Sequence, residues 1–226
     1  MKDNWNLSII GENVVLVPYR KRFVLKYHEW MQNESLLLST ASEPLSLEAE
    51  YEMQQSWHLD PKKLTFIVLA KEPLKLEEGG HSERELICMA GDVNLFMNDY
   101  EDATNAEIEI MIAENCYRRM GFASEALKLI INYGSKQLNL KRFYAKIGKD
   151  NIASLALFKS IHFVEVNYVA AFEEFELELR IQSDSAIATE INNHWCVGSL
   201  ISSYSNGEDD DDINCDTTGT NTTQQL

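Results

Sequence analysis

The stretch Glu107-Ile108-Glu109-Ile110-Met111-Ile112-Ala113-Glu114-Asn115-Cys116-Tyr117-Arg118-Arg119-Met120-Gly121-Phe122-Ala123-Ser124-Glu125-Ala126 decides the reading of this chain. Its first part alternates, with Ile108, Ile110 and Ile112 on one face and Glu107, Glu109 and Met111 on the other, the period of a strand over Ala106–Ala113. From Phe122 to Leu138 the period changes to that of an amphipathic helix, with Ala126, Leu129, Ile130 and Tyr133 on the apolar side. Between them sits a turn containing two arginines and Gly121. A helix opening from such a turn presents backbone N–H groups that lack an internal partner, at the positive end of its dipole. Gly121 and the small Ala123 let a ligand approach the backbone. The pattern therefore predicts a phosphate or pyrophosphate site at Arg118–Ala123.

Working outward, Val14–Pro18 reads as a β-branched strand after the turn-like Gly11-Glu12-Asn13. Phe23–Gln32 reads as a helix with Phe23, Tyr27, Trp30 and Met31 on one face, an arrangement of core packing rather than a ligand cage. Pro44 stops helical continuation, and Ser46 can cap a second helix reaching about Trp57, with Glu48 and Glu50 in its first turn. Leu64–Ala70 is a strand. Lys71–Glu85 contains Pro73, Gly79 and Gly80 and is expected to be a loop. Leu86–Met97 is expected to be a long strand bent at Gly91. Arg142–Ile147, Phe163–Val169 and Phe172–Leu179 complete the strands, and Ile152–Ser160 the helices. This order predicts an α+β single domain: a mixed, mostly antiparallel seven-stranded sheet flanked by about four helices.

The chain has 226 residues and a net charge of −16. It contains no Lys or Arg after Arg180, so residues 183–226, with eight acids, carry −8 of that charge and residues 1–182 the other −8. The expected organisation is a domain over residues 1–182 and an acidic, largely disordered tail over 183–226, with a short apolar patch at Trp195–Ile201. So acidic a chain gains nothing from counterion release on nucleic acid and has no basic patch for anionic lipid. No apolar run approaches the roughly 20 residues of a membrane helix, and Met1–Asn6, lacking an apolar h-region, is not expected to be a signal peptide. Cys88, Cys116, Cys196 and Cys215 show no metal-binding spacing, so no metal is expected. Reduced thiols, and a cytoplasmic setting with the nucleus as a further compartment, are the expectation.

Arg118-x-x-Gly121-x-Ala123 resembles the pyrophosphate-holding turn of the GNAT acetyltransferase superfamily. Asn151-Ile152-Ala153-Ser154-Leu155-Ala156-Leu157-Phe158-Lys159-Ser160-Ile161-His162-Phe163 resembles the same superfamily's second motif, about 30 residues downstream. The resemblance covers roughly residues 10–180. It implies acetyl-CoA as co-substrate and direct transfer to an amine in a ternary complex, with no acyl-enzyme. It also implies pantetheine lying along the backbone of Ile110, Met111, Ile112 and Ala113 as though it were a strand. The pyrophosphate would rest on Arg118, Arg119, Met120, Gly121, Phe122 and Ala123, with Asn151 and Phe158 on the cofactor's other side. Val14–Tyr19, Tyr27–Met31, Thr40–Leu45, Thr65–Leu69 and Gly91–Leu95 are similar to the N-acetyltransferase 9-like, tubulin-directed branch. That similarity implies a protein N-terminal amine as acceptor, tubulin among the candidate substrates. The alternative is a catalytically weak or inactive module of the same fold that binds microtubules or another protein.

For deprotonation the candidates are Glu109 and Glu107, two residues apart on one strand face, each expected to raise the other's pKa. An α-amine, with a pKa of about 7.7–8.0, needs only a modest base. A backbone N–H near Met111 or Ile112 is the candidate oxyanion donor. Phe158 stands where the superfamily often has Tyr, so Tyr168, Tyr144 or water is left to protonate the thiolate, if an acid is needed. His162 stands in place of a superfamily Gly and reads as a helix C-terminal residue. Cys116, beside two arginines, reads as a spectator thiol.

Overall fold

The computed structural model describes residues 4–74, 81–182, 187, 189, 191, 195 and 200–203. Its strands are β1 (Leu7–Ile10), β2 (Val14–Pro18), β3 (Lys63–Ala70), β4 (Met89–Phe96), β5 (Asn105–Ile112), β6 (Arg142–Gly148), β7 (Val164–Val169), β8 (Glu174–Arg180) and β9 (Leu200–Ser203). They form one sheet in the order β7-β8-β6-β5-β4-β3-β2-β1-β9. Every neighbouring pair is antiparallel except β5 and β6. The α+β class and the mixed sheet are as expected, but the sheet has nine strands among the described residues, not seven. The additional two are β1 and β9. Each is four residues long, too short for alternation to register.

The helices are α1 (Val24–Trp30), α2 (Glu34–Ser39), α3 (Leu47–Leu59), α4 (Lys71–Leu74), α5 (His81–Cys88), α6 (Phe122–Gln137) and α7 (Ile152–Ser160). Ser46 caps α3 by accepting from the Ala49 N–H at 3.2 Å, as its position predicts. The short α2 was not expected; Asn33 caps it through the N–H groups of Ser35 and Leu36. The segment expected as a loop holds α4 and α5, with residues 75–80 outside the described set. Because α5 runs to Cys88, β4 begins at Met89 rather than Leu86. Leu86 and Cys88 pack as helical residues beside β3, and Ile87 is left exposed.

Two apolar layers cover the two faces of the sheet. On one, α6 and α7 bury Ala126, Leu127, Leu129, Ile130, Leu155 and Phe158 against Leu16, Phe66, Val93, Ile108 and Phe143. On the other, Phe23, Val24, Tyr27, Trp30 and Met31 of the α1 region pack with Val17, Ile67, Leu69 and Met111, the core role expected of that aromatic face. Beyond residue 182, Ile191 and Trp195 are buried in the first layer, and β9 pairs with β1 from Leu7↔Ser203 to Ile10↔Leu200. The acidic run Asp209–Asp212, like Cys196 and Cys215, lies outside the described residues. Among the described residues no helix is long and apolar enough to cross a membrane.

Candidate active site

The site arises from an interruption in the sheet. β5 and β6 run parallel and pair only over Asn105↔Arg142, Ala106↔Phe143 and Glu107↔Tyr144, although β5 continues to Ile112 and β6 to Gly148. Beyond Glu107 the two strands diverge. β5 stays tied to β4 on its other side, as far as Gly91↔Ile112. That pairing requires Gly91: a Cβ there would lie 1.8 Å from the Met111 carbonyl oxygen.

The divergence opens a cavity of about 950 Å³. Its floor is Glu107–Met111 of β5 and Ala145–Gly148 of β6. The N-cap and helix of α7 (Asn151, Ser154, Phe158), the α1–α2 region (Tyr27, Met31, Leu37, Leu38) and Lys63, Asp92 and Asn94 form the walls. Of the predicted cofactor residues, Ile110, Met111, Asn151 and Phe158 line this cavity. Ile112, Ala113 and Arg118–Ala123 lie past its lining, at the far end of β5.

The turn has the features that the sequence predicts for it. Gly121 occupies the N-cap position of α6 in the left-handed region (φ 83°), and no side chain caps the helix. Phe122 turns its ring into the core, stacked 5.2 Å from Tyr117, so its backbone rather than its side chain faces outward. Arg119 and Met120 are exposed, and Arg119 is also left-handed (φ 60°). Arg118 does something the motif does not reveal. Its Nε donates to the Ile112 carbonyl at 2.9 Å and an Nη to that of Ala113 at 3.5 Å, clamping the turn to the end of β5. Glu125 in the first turn of α6 is turned away to the β1–β2 loop, accepting from the backbone and side-chain amides of Asn13 and from the Val14 N–H.

The two candidate carboxylates are not equivalent. Glu107 is held by Lys146, whose Nζ donates to it at 2.7 Å. Glu109 is exposed to the open cavity, yet the protein packed around that cavity keeps bulk water at a distance and pushes its carboxyl up to about 7; Lys63 opposes the rise, and Glu107 and Asp92 add to it. Desolvation is the larger cause, and Glu107 adds a smaller one in the expected direction.

Sequence reasoning missed a buried polar ladder on the same face. Register places Lys63, Phe96 and Glu107 in one row, Thr65, Asn94 and Glu109 in the next, and Ile67, Asp92 and Met111 in the third. Asn94 donates to Asp92 at 2.7 Å and accepts from the Thr65 hydroxyl at 2.6 Å, while the Tyr27 hydroxyl lies 3.4 Å from Asp92. Burial pushes Asp92 and Tyr27 up. The available signal was a polar pair two residues apart on each of three adjacent strands: Lys63/Thr65, Asp92/Asn94 and Glu107/Glu109.

Phe158 is buried edge-on against Phe163 at 4.9 Å. Asn151 caps α7, its side-chain oxygen accepting from the Ser154 N–H at 3.1 Å. Tyr144 and Tyr168, offered as replacement acids, do not line the cavity: Tyr144 lies under Arg142, and Tyr168 packs on Phe175. Among the lining residues the tyrosine is Tyr27. His162 adopts φ 72°, which explains why a glycine suits that position, and stacks 6.5 Å from Trp195. Cys116 is exposed and free. Among the described residues no group of three or more His, Cys, Asp or Glu is placed to hold a metal.

The family described as Acetyltransferase (GNAT) domain matches residues 13–164. The mouse protein named alpha/beta-tubulin-N-acetyltransferase 9 is 48% identical over 181 residues, covering 80% of this chain and 74% of that protein. An N-acetyltransferase 9-like protein of Dictyostelium discoideum is 42% identical over 207 residues, covering 89% of this chain and 98% of its own. A crystal structure of spermidine N-acetyltransferase from Vibrio cholerae, in complex with CoA and spermine, superposes with a TM-score of 0.63 at 18% identity, covering 75% of this chain and 96% of that one. The chain therefore belongs to the GNAT acetyltransferase family, and it is an acyltransferase.

Proposed function

We propose that this enzyme transfers acetyl directly from acetyl-CoA to the N-terminal α-amine of a protein, tubulin being the leading candidate. The observation that carries the reading is the divergence of β5 from β6, which leaves strand edge and cavity between the uncapped start of α6 and the Glu109 carboxyl. In this reading the diphosphate rests on the N–H groups that open α6, beside Arg118 and Arg119. Pantetheine pairs with the open edge of Ile110–Ala113. The thioester is thereby brought toward Glu109, and the acceptor enters past α2.

Glu109 removes the proton of the incoming ammonium directly or through one water. Its carboxyl, at about 7, is matched to an α-amine near neutral pH. The amine attacks the thioester carbonyl, a backbone N–H near Met111 or Ile112 stabilises the oxyanion, the C–S bond breaks to release CoA thiolate, and the second proton of the nitrogen passes to that thiolate through water, leaving amide and CoA thiol. No tyrosine is needed at Phe158 for this: a thiol of pKa about 8.5 departs as thiolate readily enough. Tubulin as acceptor is supported by the names of relatives such as the mouse protein. A reducing, cytoplasmic setting belongs to the same proposal. The alternative of an inactive binding module gains no support from these relatives, which are named as acetyltransferases.

The test incubates the full chain with acetyl-CoA and peptides carrying the free N-termini of α- and β-tubulin, following thiol release and peptide mass. Acetylation at the α-amine is the expected result. CoA binding without transfer to any α-amine would return the reading to a binding module.

A further inference from the structure

Lys63 is the residue of this site whose presence the acetyl-transfer reading does not require. It is 4% exposed and lines the cavity. Its Nζ lies 3.5 Å from the ring centroid of Trp57 and 3.6 Å from that of Phe96. A lysine at the start of a strand ordinarily extends to water, because removing an ammonium from water is costly unless charge or hydrogen bonds compensate. The compensation here comes from two aromatic faces and from carboxylates across the sheet. Lys63 stands one row from Glu109 on the same face.

We propose that Lys63 is a positioning residue for Glu109: its caged ammonium, fixed on the same face of the sheet, holds the Glu109 carboxyl in the proton-accepting carboxylate form. This rests on Glu109 being the base. The charged and titratable groups facing Glu109 are Lys63 on β3, Asp92 on β4, Glu107 on its own strand, Lys146 on β6 and Tyr27 on α1. Of the two cations, Lys146 is committed to Glu107, so Lys63 is the principal counterweight to burial. Lys63 in turn faces Glu109, Asp92 and Asp60, which hold it up against a burial that pushes it down to about 8. It therefore carries its charge across the range in which Glu109 ionises. The two groups are linked reciprocally: each stabilises the charged form of the other. With the Glu109 carboxyl at about 7, its carboxylate is the minor form at pH 6.5, and without Lys63 that fraction would shrink further.

The experiment follows the Glu109 side-chain carboxyl carbon by NMR titration in wild type, Lys63→Met and Lys63→Arg, with Glu109→Gln supplying the assignment. The kcat/KM pH profile for transfer to an N-terminal peptide is recorded for the same proteins. Lys63→Met is expected to move both the Glu109 midpoint and the acid limb upward by about one pH unit, so that activity at pH 6.5 falls about tenfold. Lys63→Arg, which keeps the charge, is expected to restore both. An unmoved midpoint and limb in a folded Lys63→Met protein would overturn the inference and leave Lys63 a packing residue. If Lys63→Met does not fold, the reciprocal measurement decides: Glu109→Gln must lower the Lys63 midpoint below its wild-type value, and an unchanged Lys63 would refute the link. Should Glu109→Gln retain the wild-type acid limb, Glu109 is not the base. The midpoints then test the electrostatic link by themselves.

Discussion

Gly91 and Gly121 illustrate how much a single position can mean. At Gly91 the obstacle to any side chain is steric, since a Cβ would run into the Met111 carbonyl on the strand that floors the cavity. At Gly121 nothing lies within 4 Å, and the constraint is the left-handed backbone alone. Gly91→Ala is therefore expected to cost about 3 kcal/mol or to prevent folding, and Gly121→Ala about 1 kcal/mol. Urea unfolding compares them, and a reversed order would contradict the packing at β4–β5. Both glycines were visible in the sequence, Gly121 through its motif and Gly91 as a bend. Glu109 was visible through strict alternation. Lys63 was not, because Lys62-Lys63 beside Pro61 reads as the wet start of a strand. Only the register of three strands brings it into the same face as Glu109.

At the scale of elements, the turn after β5 works because Arg118 is spent on its own backbone. Arg118→Met removes the bonds to Ile112 and Ala113 and loosens the start of α6. It is expected to raise the KM for acetyl-CoA about tenfold with a smaller change in kcat. Equal losses in both would assign Arg118 to the chemical step instead. The long elements were legible: Ser46 announces α3, and the apolar period announces α6. The short ones were not. α2 takes its cap from Asn33 and buries little besides Leu36, while β1 is a short hairpin partner of β2 and β9 exists because it pairs with β1, far away in sequence. Ending the chain after Gln182 removes buried Ile191 and Trp195 and uncovers the edge of β1. That truncation is expected to lower Tm by at least about 5 °C and to promote association through the exposed edge. An unchanged melting curve would show that residues after 182 contribute nothing to the domain.

Across the whole molecule, titration couples the site to stability. Burial raises Glu109, Asp92 and Glu50. A carboxyl whose folded pKa lies above its unfolded value favours the folded state below the unfolded pKa, and that advantage is lost as pH rises through the folded pKa. For Glu109 the window runs from about 4.5 to about 7. Glu178 behaves oppositely: burial raises it, but bonds from Arg180 and Arg142 outweigh burial and hold it low, so its contribution is lost as pH falls. Glu109→Gln should consequently gain stability relative to wild type as pH is raised from 5 to 8. A pH-independent difference in thermal melting would deny that the cavity desolvates this carboxyl. The net charge of −16 reports on solubility and on which partners are excluded, not on fold; two arginines at one turn matter more for the site than the total. Cofactor binding depends on that turn and on the gap between β5 and β6, and a crystal structure of the chain grown with CoA addresses both at once. The diphosphate is expected against the N–H groups of Phe122 and Ala123 and pantetheine along Ile110–Ala113; phosphates bound at any other surface, with the gap left empty, would contradict this placement.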